Sequence, residues 1–492
     1  MSLKYVSCDR KTPYLLPPSL QDWLPEGHLA RFVVEIVEQL NLQTIKARYA
    51  GRGSQPYNPE MLVALLFYGY ATGVFSSRKL EAGTYDSVAF RYIAANKHPD
   101  HDTIATFRRR FLDELQNLFV QILLIAKQME VLKLGSVSLD GTKVGANASK
   151  HKALSYDYAC KLETQLTAEV AQLLNKAEAA DTTDTPDGMS IPEELAIRAN
   201  RLEKIACAKA EIERRAAERY ACEQQQYEEK LAERAKKQQA SGKKPRGKGP
   251  KAPTPGPKAT DQVNLTDEES RVMPVSGGGF KQAYNAQAAV DTRSMLILEN
   301  HVSQKTNDKQ ELKPTVEKLA SLPEELGTVT DIIADSGFFS KQNVESCIGS
   351  KMLPCIASDR EQHNQSPFDR FGEPPPVSDT ADAVTQMKHR LKTAAGKALY
   401  ALRKSTVEPV FGIIKAVMGF RRFMLRGFNA VQSEWNLVCM AWNIKRLHAM
   451  AKQVEKELVE LSEKGTLFVC YAAVINKSKN CRLESGQPAH RT

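Results

Sequence analysis

The chain has 492 residues, of which 42% are apolar and 26% charged, and its formal net charge is +10. A chain of this length can bury a core without cross-links, which excludes small disulfide scaffolds and fibrous proteins. Its nine cysteines form no Cys-x-x-Cys pair, so a zinc ribbon and a disulfide framework are not expected. The sequence lacks a signal pattern and an apolar run of roughly 20 residues, so we expect a cytoplasmic protein without membrane contact.

The N-terminal part has the pattern of a small helical domain. Apolar residues recur at helical spacing from Leu29 to Leu118, and Asn58-Pro59 has the form of an N-cap followed by proline at the first helical position. Asp102-Thr103 indicates a further helix start. The His and Asp residues at 98–102 are more typical of caps and turns than of a metal site.

A change of period near residue 135 marks the beginning of an α/β part. Val137 and Leu139 alternate with polar neighbours, which predicts a β-strand ending near Asp140. Residues 153–236 are helical again, with apolar seven-residue repeats and a turn-rich break at 181–188. This pattern predicts an inserted antiparallel coiled hairpin.

The hairpin is followed by a tract, residues 236–258, with eight Lys or Arg and no acid among many Pro and Gly. Such a composition is typical of a flexible segment that binds phosphates without sequence preference. Strands and helices then alternate to the end of the regular part. We expect strands at 280–291, 295–302, 329–335 and 352–356, and helices at 308–322, 341–350 and within 384–455.

Three acids occupy positions that suit metal-ion chemistry. Asp140 and Asp335 stand at the ends of predicted strands, and ligands collect at the carboxyl ends of strands in α/β sheets. Glu408 lies in the last helical block. Three carboxylates at one edge could hold two Mg²⁺ ions about 3.5–4 Å apart, as in phosphodiester attack. A strand-end Asp can also be a turn former or a helix cap, and that alternative stays open for each Asp.

In combination, these residues resemble the DDE transposases of bacterial insertion sequences, in the branch with a Tyr-Arg-Glu-Lys signature. The resemblance covers roughly residues 1–150 and 262–450. The matching stretches are Tyr57–Glu60, Gly69–Arg78, Pro99–Ile104, Ser138–Lys143, Tyr284–Asp291, Ala334–Phe339 and Tyr400–Lys415.

The resemblance implies an RNase H-like mixed sheet flanked by helices, in which Asp140, Asp335 and Glu408 bind Mg²⁺, with Mn²⁺ as a substitute. The signature falls on Tyr400, Arg403, Glu408 and Lys415. Four residues separate Arg403 from Glu408 where the pattern has three, so Lys404 is a second candidate for the arginine role.

The helix carrying Glu408 has a basic end. Glu408 and Lys415 are nearly two turns apart and share a face if the helix is continuous. Pro409, however, favours Glu408 at a helix start. The resemblance implies that Tyr400, Arg403 or Lys404, and Lys415 contact the DNA strand. We expect Arg421 and Arg422 to contact phosphates as well, with a solvated basic face as the alternative.

The implied function is a transposase that cleaves DNA at the ends of an insertion sequence and joins the 3′ ends to target DNA. Its partners would be the terminal repeats and the target, bound by a homodimer at the nucleoid. An RNase H-like nuclease without strand transfer and a non-catalytic, transposase-derived DNA-binding protein remain as alternatives.

These patterns divide the chain into six parts. They are a helical DNA-binding domain (1–130), the first catalytic part (131–152), the hairpin (153–236), the basic linker (237–261), the second catalytic part (262–455) and a tail (456–492).

Overall fold

The structure is a computed structural model in which the described residues form two compact units. Unit 1 draws on Met1–Val144, Asn285–Leu425 and Asn429–Thr492, and unit 2 on Gly145–Tyr284 and Arg426–Phe428. The described ranges are 19–49, 55–180, 191–242, 247–275, 278–358, 372, 374–378 and 381–463. The predicted turn at 181–188 and the tail beyond residue 463 lie outside them.

In the described part of the chain, eight α-helices precede the first strand. They are α1 (Leu20–Trp23), α2 (Leu29–Gln39), α3 (Gln43–Ala47), α4 (Pro59–Thr72), α5 (Ser77–Asp86), α6 (Val88–Ile93), α7 (His101–Arg110) and α8 (Leu112–Gln128). Asn58 caps α4 by accepting from the Glu60 N–H, and Pro59 takes its first position. Helix α7 begins two residues earlier than expected, because Asp100 rather than Asp102 is the cap that accepts from the Thr103 N–H.

Helix α4 is apolar on all sides and its residues from Leu62 to Ala71 are buried. Among the described residues, no single helix is long and apolar enough to cross a membrane. Only α4 and α5 taken as a pair, bent by 97°, reach that length and composition.

The described residues form eight strands. They are β1 (Ser136–Gly145), β2 (Ala153–Ser155), β3 (Gln262–Asn264), β4 (Arg271–Pro274), β5 (Phe280–Asp291), β6 (Ile297–Ser303), β7 (Asp331–Ala334) and β8 (Leu353–Ile356). The main sheet has the order β5–β1–β7–β8, with β6 also paired to β5. Strands β1, β7 and β8 are parallel, whereas β5 and β6 form the antiparallel pair predicted from the sequence. In unit 2, β4 pairs with the first residues of β5, and β2 with β3.

Strand β1 is longer than its sequence indicated, since it continues past Asp140 to Gly145. Asp140-Gly141 has turn composition, but Gly141 has no positive φ and the chain remains extended. The reason is pairing with the neighbouring strand β5, which continues beyond the end of β7, satisfies backbone groups and outweighs the local turn preference. The mixed sheet flanked by helices is consistent with an RNase H-like fold.

The remaining helices of unit 1 are α11 (Leu312–Ala320), α12 (Lys341–Gly349), α13 (Ala383–Lys392), α14 (Ala394–Ala416) and α15 (Phe428–Glu463). Helix α14 runs through Pro409, so the expectation that Glu408 stands at a helix start is wrong. Proline removes one backbone hydrogen bond, at a cost of about 3 kcal/mol in a helix interior. Burial of Val407, Val410 and Ile414 against the rest of the unit offsets that cost.

Unit 2 contains two long helices, α9 (Tyr156–Ala180) and α10 (Ile191–Ser241), which pack against each other. Ion pairs join them, among them Lys209 with Glu163 and Arg198 with Glu169. Their shared core also receives a strand residue from β2 and one from β3. The buried members are Leu154, Ala159, Leu166, Ile205, Ala208, Ile212 and Val263.

A buried charged network lies between β6 and α11. His301 Nδ1 is 3.1 Å from Glu299 Oε1, and His301 Nε2 is 3.1 Å from Glu311 Oε2. Burial alone would lower the pKa of His301, but the charge of Glu299 and the hydrogen bonds with both carboxylates outweigh it and raise the pKa to about 9. The imidazole is therefore a cation at neutral pH and compensates two buried carboxylates.

We expect the free energy of unfolding to fall as the pH rises from 6.5 through 9. The folded pKa of His301 lies above its unfolded value, so its stabilisation is complete below about pH 6.5 and is lost on deprotonation, a loss on the order of 2–3 kcal/mol. Urea unfolding at pH 6.5 and 9.5 measures it. His301→Gln should be less stable at pH 6.5 and should lose less on going to pH 9.5.

His448→Gln is the matched control, because burial lowers the pKa of His448, and a lowered pKa cannot produce a loss of stability as the pH rises. The explanation fails if His301→Gln keeps the full pH dependence of the unsubstituted chain.

Candidate active site

The parallel pairing of β1 with β7 brings two predicted acids to the same edge of the sheet. Ser136, Val137 and Ser138 pair with Asp331, Ile332 and Ile333. Continuing this register by two residues sets Asp140 alongside Asp335. Both strands point their carboxyl ends the same way, as the sequence argument required.

Asp335 follows the last residue of β7 and begins a short helical turn. Its Oδ1 accepts a hydrogen bond from the Gly337 N–H at 2.9 Å. A Cβ atom at position 337 would lie 3.0 Å from that same oxygen, so glycine leaves room for the carboxylate. Asp335 is therefore a cap, as the alternative interpretation had it, and it also lies near Asp140. The two roles are compatible because only one oxygen is used by the cap.

Helix α14 brings a glutamate and an arginine to Asp140. Arg403 Nη2 donates to Glu408 Oε1 at 2.8 Å, and Arg403 Nη1 lies 3.6 Å from Asp140 Oδ2. The Arg403 side chain is only 16% exposed, whereas that of Glu408 is 47% exposed. One guanidinium thus bridges the predicted acids of β1 and α14, and Glu408 keeps an open side toward solvent.

Tyr400 and Lys415 extend this arrangement along α14. Tyr400 hydrogen-bonds with Arg403, and burial raises the pKa of its hydroxyl. Lys415 Nζ donates to the Thr142 hydroxyl and, at 3.0 Å, to the Lys143 carbonyl on β1. Burial lowers the pKa of Lys415, and the nearby charge of Lys143 lowers it further.

The other predicted DNA-contacting residues lie outside this cluster. Lys404 and Arg422 are exposed. Arg421 is exposed too, and its Nε donates to the Lys415 carbonyl at 3.0 Å. Of the two candidates for the arginine of the signature, Arg403 rather than Lys404 contacts the acids.

The pKa of Asp140 is raised to about 6. Burial is the largest cause and the Asp335 charge adds to it, whereas the Gly141 N–H and Arg403 act in the opposite direction. A carboxyl whose pKa is raised by desolvation and by a like charge is typical of a functional site.

Sequence reasoning missed a fourth acid, Asp308. Its charge also raises the pKa of Asp140, and it lies 3.5 Å from Lys143 Nζ. Asp308 precedes α11 in a polar stretch, Thr306-Asn-Asp-Lys309, that has no strand-end or motif signal. Only its neighbours from β1 and β5, which are distant in sequence, reveal it.

The donor chemistry of the site fits a hard divalent cation. Carboxylate oxygens are the ligands that Mg²⁺ and Mn²⁺ prefer, and the two acids joined by Arg403 already share a positive group. Across the described ranges, however, no three His, Cys, Asp or Glu side chains are arranged to hold one metal ion. The acids are thus of the chemical type that binds a divalent metal, and Arg403 is the cation that lies between Asp140 and Glu408.

Two family models match the chain. One is described as a transposase DDE domain and matches residues 252–444, which include Asp335 and Glu408. The other is described as a transposase domain (DUF772) and matches residues 18–110, the region of α1 to α7. No curated protein matches the chain, and no solved structure does. Asp140 lies outside both matched regions, in the stretch of sequence between them.

We expect Arg403→Ala to raise the pKa of Asp140 above 6, because the guanidinium is the cationic group that favours its charged form. Titration of ¹³C-labelled Asp carboxyls by NMR, in buffer without divalent metal, measures the shift. Lys404→Ala is the matched control, since the exposed neighbouring cation should leave the titration unchanged. An equal shift in both variants would mean that general charge, not the Arg403 contact, sets the pKa.

Proposed function

Because the chain belongs to the DDE transposases, a family typical of bacterial insertion sequences, we propose that it cuts DNA at the ends of such an element and joins the 3′ ends to target DNA. The observation that carries this proposal is the convergence at Arg403. It joins Asp140 of β1 to Glu408 of α14, beside Asp335 at the end of β7. Three separate elements thereby supply carboxylates to one region.

In this proposal, Asp140, Asp335 and Glu408 hold Mg²⁺, or Mn²⁺ in its place. The bound metal supplies activation of the attacking oxygen and stabilisation of the leaving oxygen in phosphodiester exchange. The chain's own contribution is to aim the carboxylates. Asp140 is fixed by its strand and by the Gly141 N–H, Asp335 by its cap, and Glu408 by the Arg403 contact.

The cationic groups near the acids would receive the DNA backbone. Lys415 is held against β1 through Thr142 and Lys143, so its charge lies close to Asp140 without neutralising it. Arg403 would exchange carboxylate contacts for a phosphate, which its planar fork suits. We propose that Tyr400 stacks on or hydrogen-bonds the same strand, and that Arg421, Arg422 and Lys404 bind flanking phosphates.

We propose that the N-terminal helical region, residues 1–130, recognises the terminal repeats of double-stranded DNA. Three consecutive arginines, Arg108 to Arg110, end α7, and they support this proposal only in part. Arg109 and Arg110 are exposed, but Arg108 is buried and donates to the Tyr70 hydroxyl and the Phe75 carbonyl. The functional assembly would be a homodimer on DNA, because an element has two ends that must be processed together.

We expect Asp140→Ala, Asp335→Ala and Glu408→Ala each to lower metal-dependent nicking by at least about 10³-fold, because each removes a ligand that the other two cannot replace. The assay uses a supercoiled plasmid carrying the flanks of the element, with Mg²⁺ or Mn²⁺. DNA affinity, measured by fluorescence anisotropy, should change by less than about threefold. Asp113→Ala, which removes an exposed carboxylate on α8, is the control.

A pre-cut oligonucleotide with a free 3′-hydroxyl tests the second half of the proposal. Joining to a target plasmid supports a transposase, whereas nicking without joining indicates a nuclease. Full activity in all three acid variants would refute the assignment of the site.

A further inference from the structure

Asp308 is the centre of a polar cluster behind β1 that the proposed mechanism does not use. Its Oδ1 accepts hydrogen bonds from Asn285 Nδ2 and Gln287 Nε2, each at 2.6 Å. Lys143 Nζ lies 3.5 Å from the same oxygen. Asn285 and Gln287 are two residues apart on β5, so their side chains project from the same face of that strand.

The cluster lies against the residue that follows Asp140. A Cβ atom at position 141 would lie 2.4 Å from Asp308 Oδ1 and 2.2 Å from Gln287 Nε2. Real Cβ contacts are not that short, so a side chain at position 141 would displace Asp308, Gln287 or both. Asp308 and Gln287 therefore occupy the space that a side chain at position 141 would take, and they fix where β1 can run just beyond Asp140.

This arrangement is not the one that stability alone would favour. Asn285 and Gln287 are fully buried, and within the described ranges neither Asn285 Oδ1 nor Gln287 Oε1 has a hydrogen-bond partner. An unsatisfied buried polar atom costs about 1–3 kcal/mol, and apolar residues of similar shape would avoid that cost. Such unsatisfied groups need an explanation, and their position beside the candidate site supplies one.

We propose that Asp308 is a positioning residue for Asp140, and this inference rests on the proposed function. Asp308 Oδ1 accepts hydrogen bonds from the side-chain amides of Asn285 and Gln287 and so keeps the Gln287 amide next to Gly141. The same oxygen lies near the ammonium group of Lys143 and orients it. The Lys143 carbonyl in turn accepts from Lys415. The Asp308 carboxylate thereby fixes the position of β1 beside Asp140 and, further along β1, the place where Lys415 contacts the Lys143 carbonyl. Asp308 does not touch the reacting atoms in this role.

The amide variant separates the hydrogen-bond role of Asp308 from its charge. Asp308→Asn keeps an acceptor oxygen for both amides, whereas Asp308→Ala removes it. We expect Asp308→Ala to lower kcat for nicking by on the order of 10²-fold with KM for DNA within about threefold, since small displacements of catalytic groups cost that much. Asp308→Asn should retain kcat within about fivefold of the unsubstituted chain.

Two further measurements separate positioning from loss of folding. Thermal unfolding shows whether each variant folds, and Mn²⁺ affinity measured by EPR should weaken in Asp308→Ala but not in Asp308→Asn. Asp331→Asn is the matched control. It removes a carboxylate that is 14% exposed at the opposite end of β7, where it pairs with Arg390, and it should leave kcat and Mn²⁺ affinity unchanged.

Gly141→Ala provides an independent path to the same contact. It should cause a similar loss of kcat, and the double variant Gly141→Ala/Asp308→Ala should be no worse than either single variant, because both disturb one contact. If Asp308→Ala is poorly folded, Gly141→Ala and Asp308→Asn still test the proposal, since both variants keep an oxygen acceptor at position 308.

The proposal is overturned if Asp308→Ala keeps full kcat, or if Asp308→Asn and Asp308→Ala fall equally, which would make charge the cause. It is also overturned if the Gly141 and Asp308 losses multiply. These outcomes leave the proposed function standing, because the unsubstituted chain still nicks DNA in them. If the unsubstituted chain shows no metal-dependent nicking while folded and bound to DNA, both proposals fall.

Discussion

The contact of Arg403 with Asp140 and Glu408 is the interaction on which the candidate site depends. Asp140 is largely buried and lies near Asp335, so its ionised form is disfavoured by desolvation and by a like charge. A group of acids in such surroundings needs a cation. Arg403 supplies one that cannot lose its charge, and it does so from the same helix that carries Glu408. Arg403 thereby links α14 to β1 through ion pairs. Under the proposed function, a metal and a DNA phosphate bind at these same charged groups.

Helix α14 contacts β1 at two places. Arg403 reaches Asp140, and Lys415 reaches Thr142 and the Lys143 carbonyl. Arg403 and Lys415 are twelve residues apart, about 18 Å along a continuous helix, whereas Asp140 and Lys143 are about 10 Å apart along the strand. The two long side chains span the difference. Both contacts come from one helix because α14 continues through Pro409.

The sequence predicted those parts of the site that depend on residues close together in the chain, such as strand ends and the pairing of consecutive strands. Asp140 and Asp335 follow apolar strand residues, and β5 and β6 were predicted as an antiparallel pair. Two errors have a common cause. The first strand was expected to end near Asp140 and Pro409 to begin a helix, and in both cases pairing or packing with a distant element outweighed the local preference. Asp308 was missed for the same reason, because the contacts that place it in the site are with Asn285 and Gln287, which are distant in sequence.

The insertion of unit 2 between β1 and β5 shows why a strand so far from its partners can still form the site. Asp140 and Asp335 meet although Gly145–Tyr284, about 140 residues, intervenes. Loop-closure entropy grows only as the logarithm of length, about 0.6 kcal/mol for each doubling, so replacing a ten-residue link by a disordered one of this length would cost roughly 2 kcal/mol. Unit 2 is not a disordered link, because α9 and α10 share a core of their own with β2 and β3. The sheet therefore needs only that the chain leaves at β1 and returns at the neighbouring strand β5.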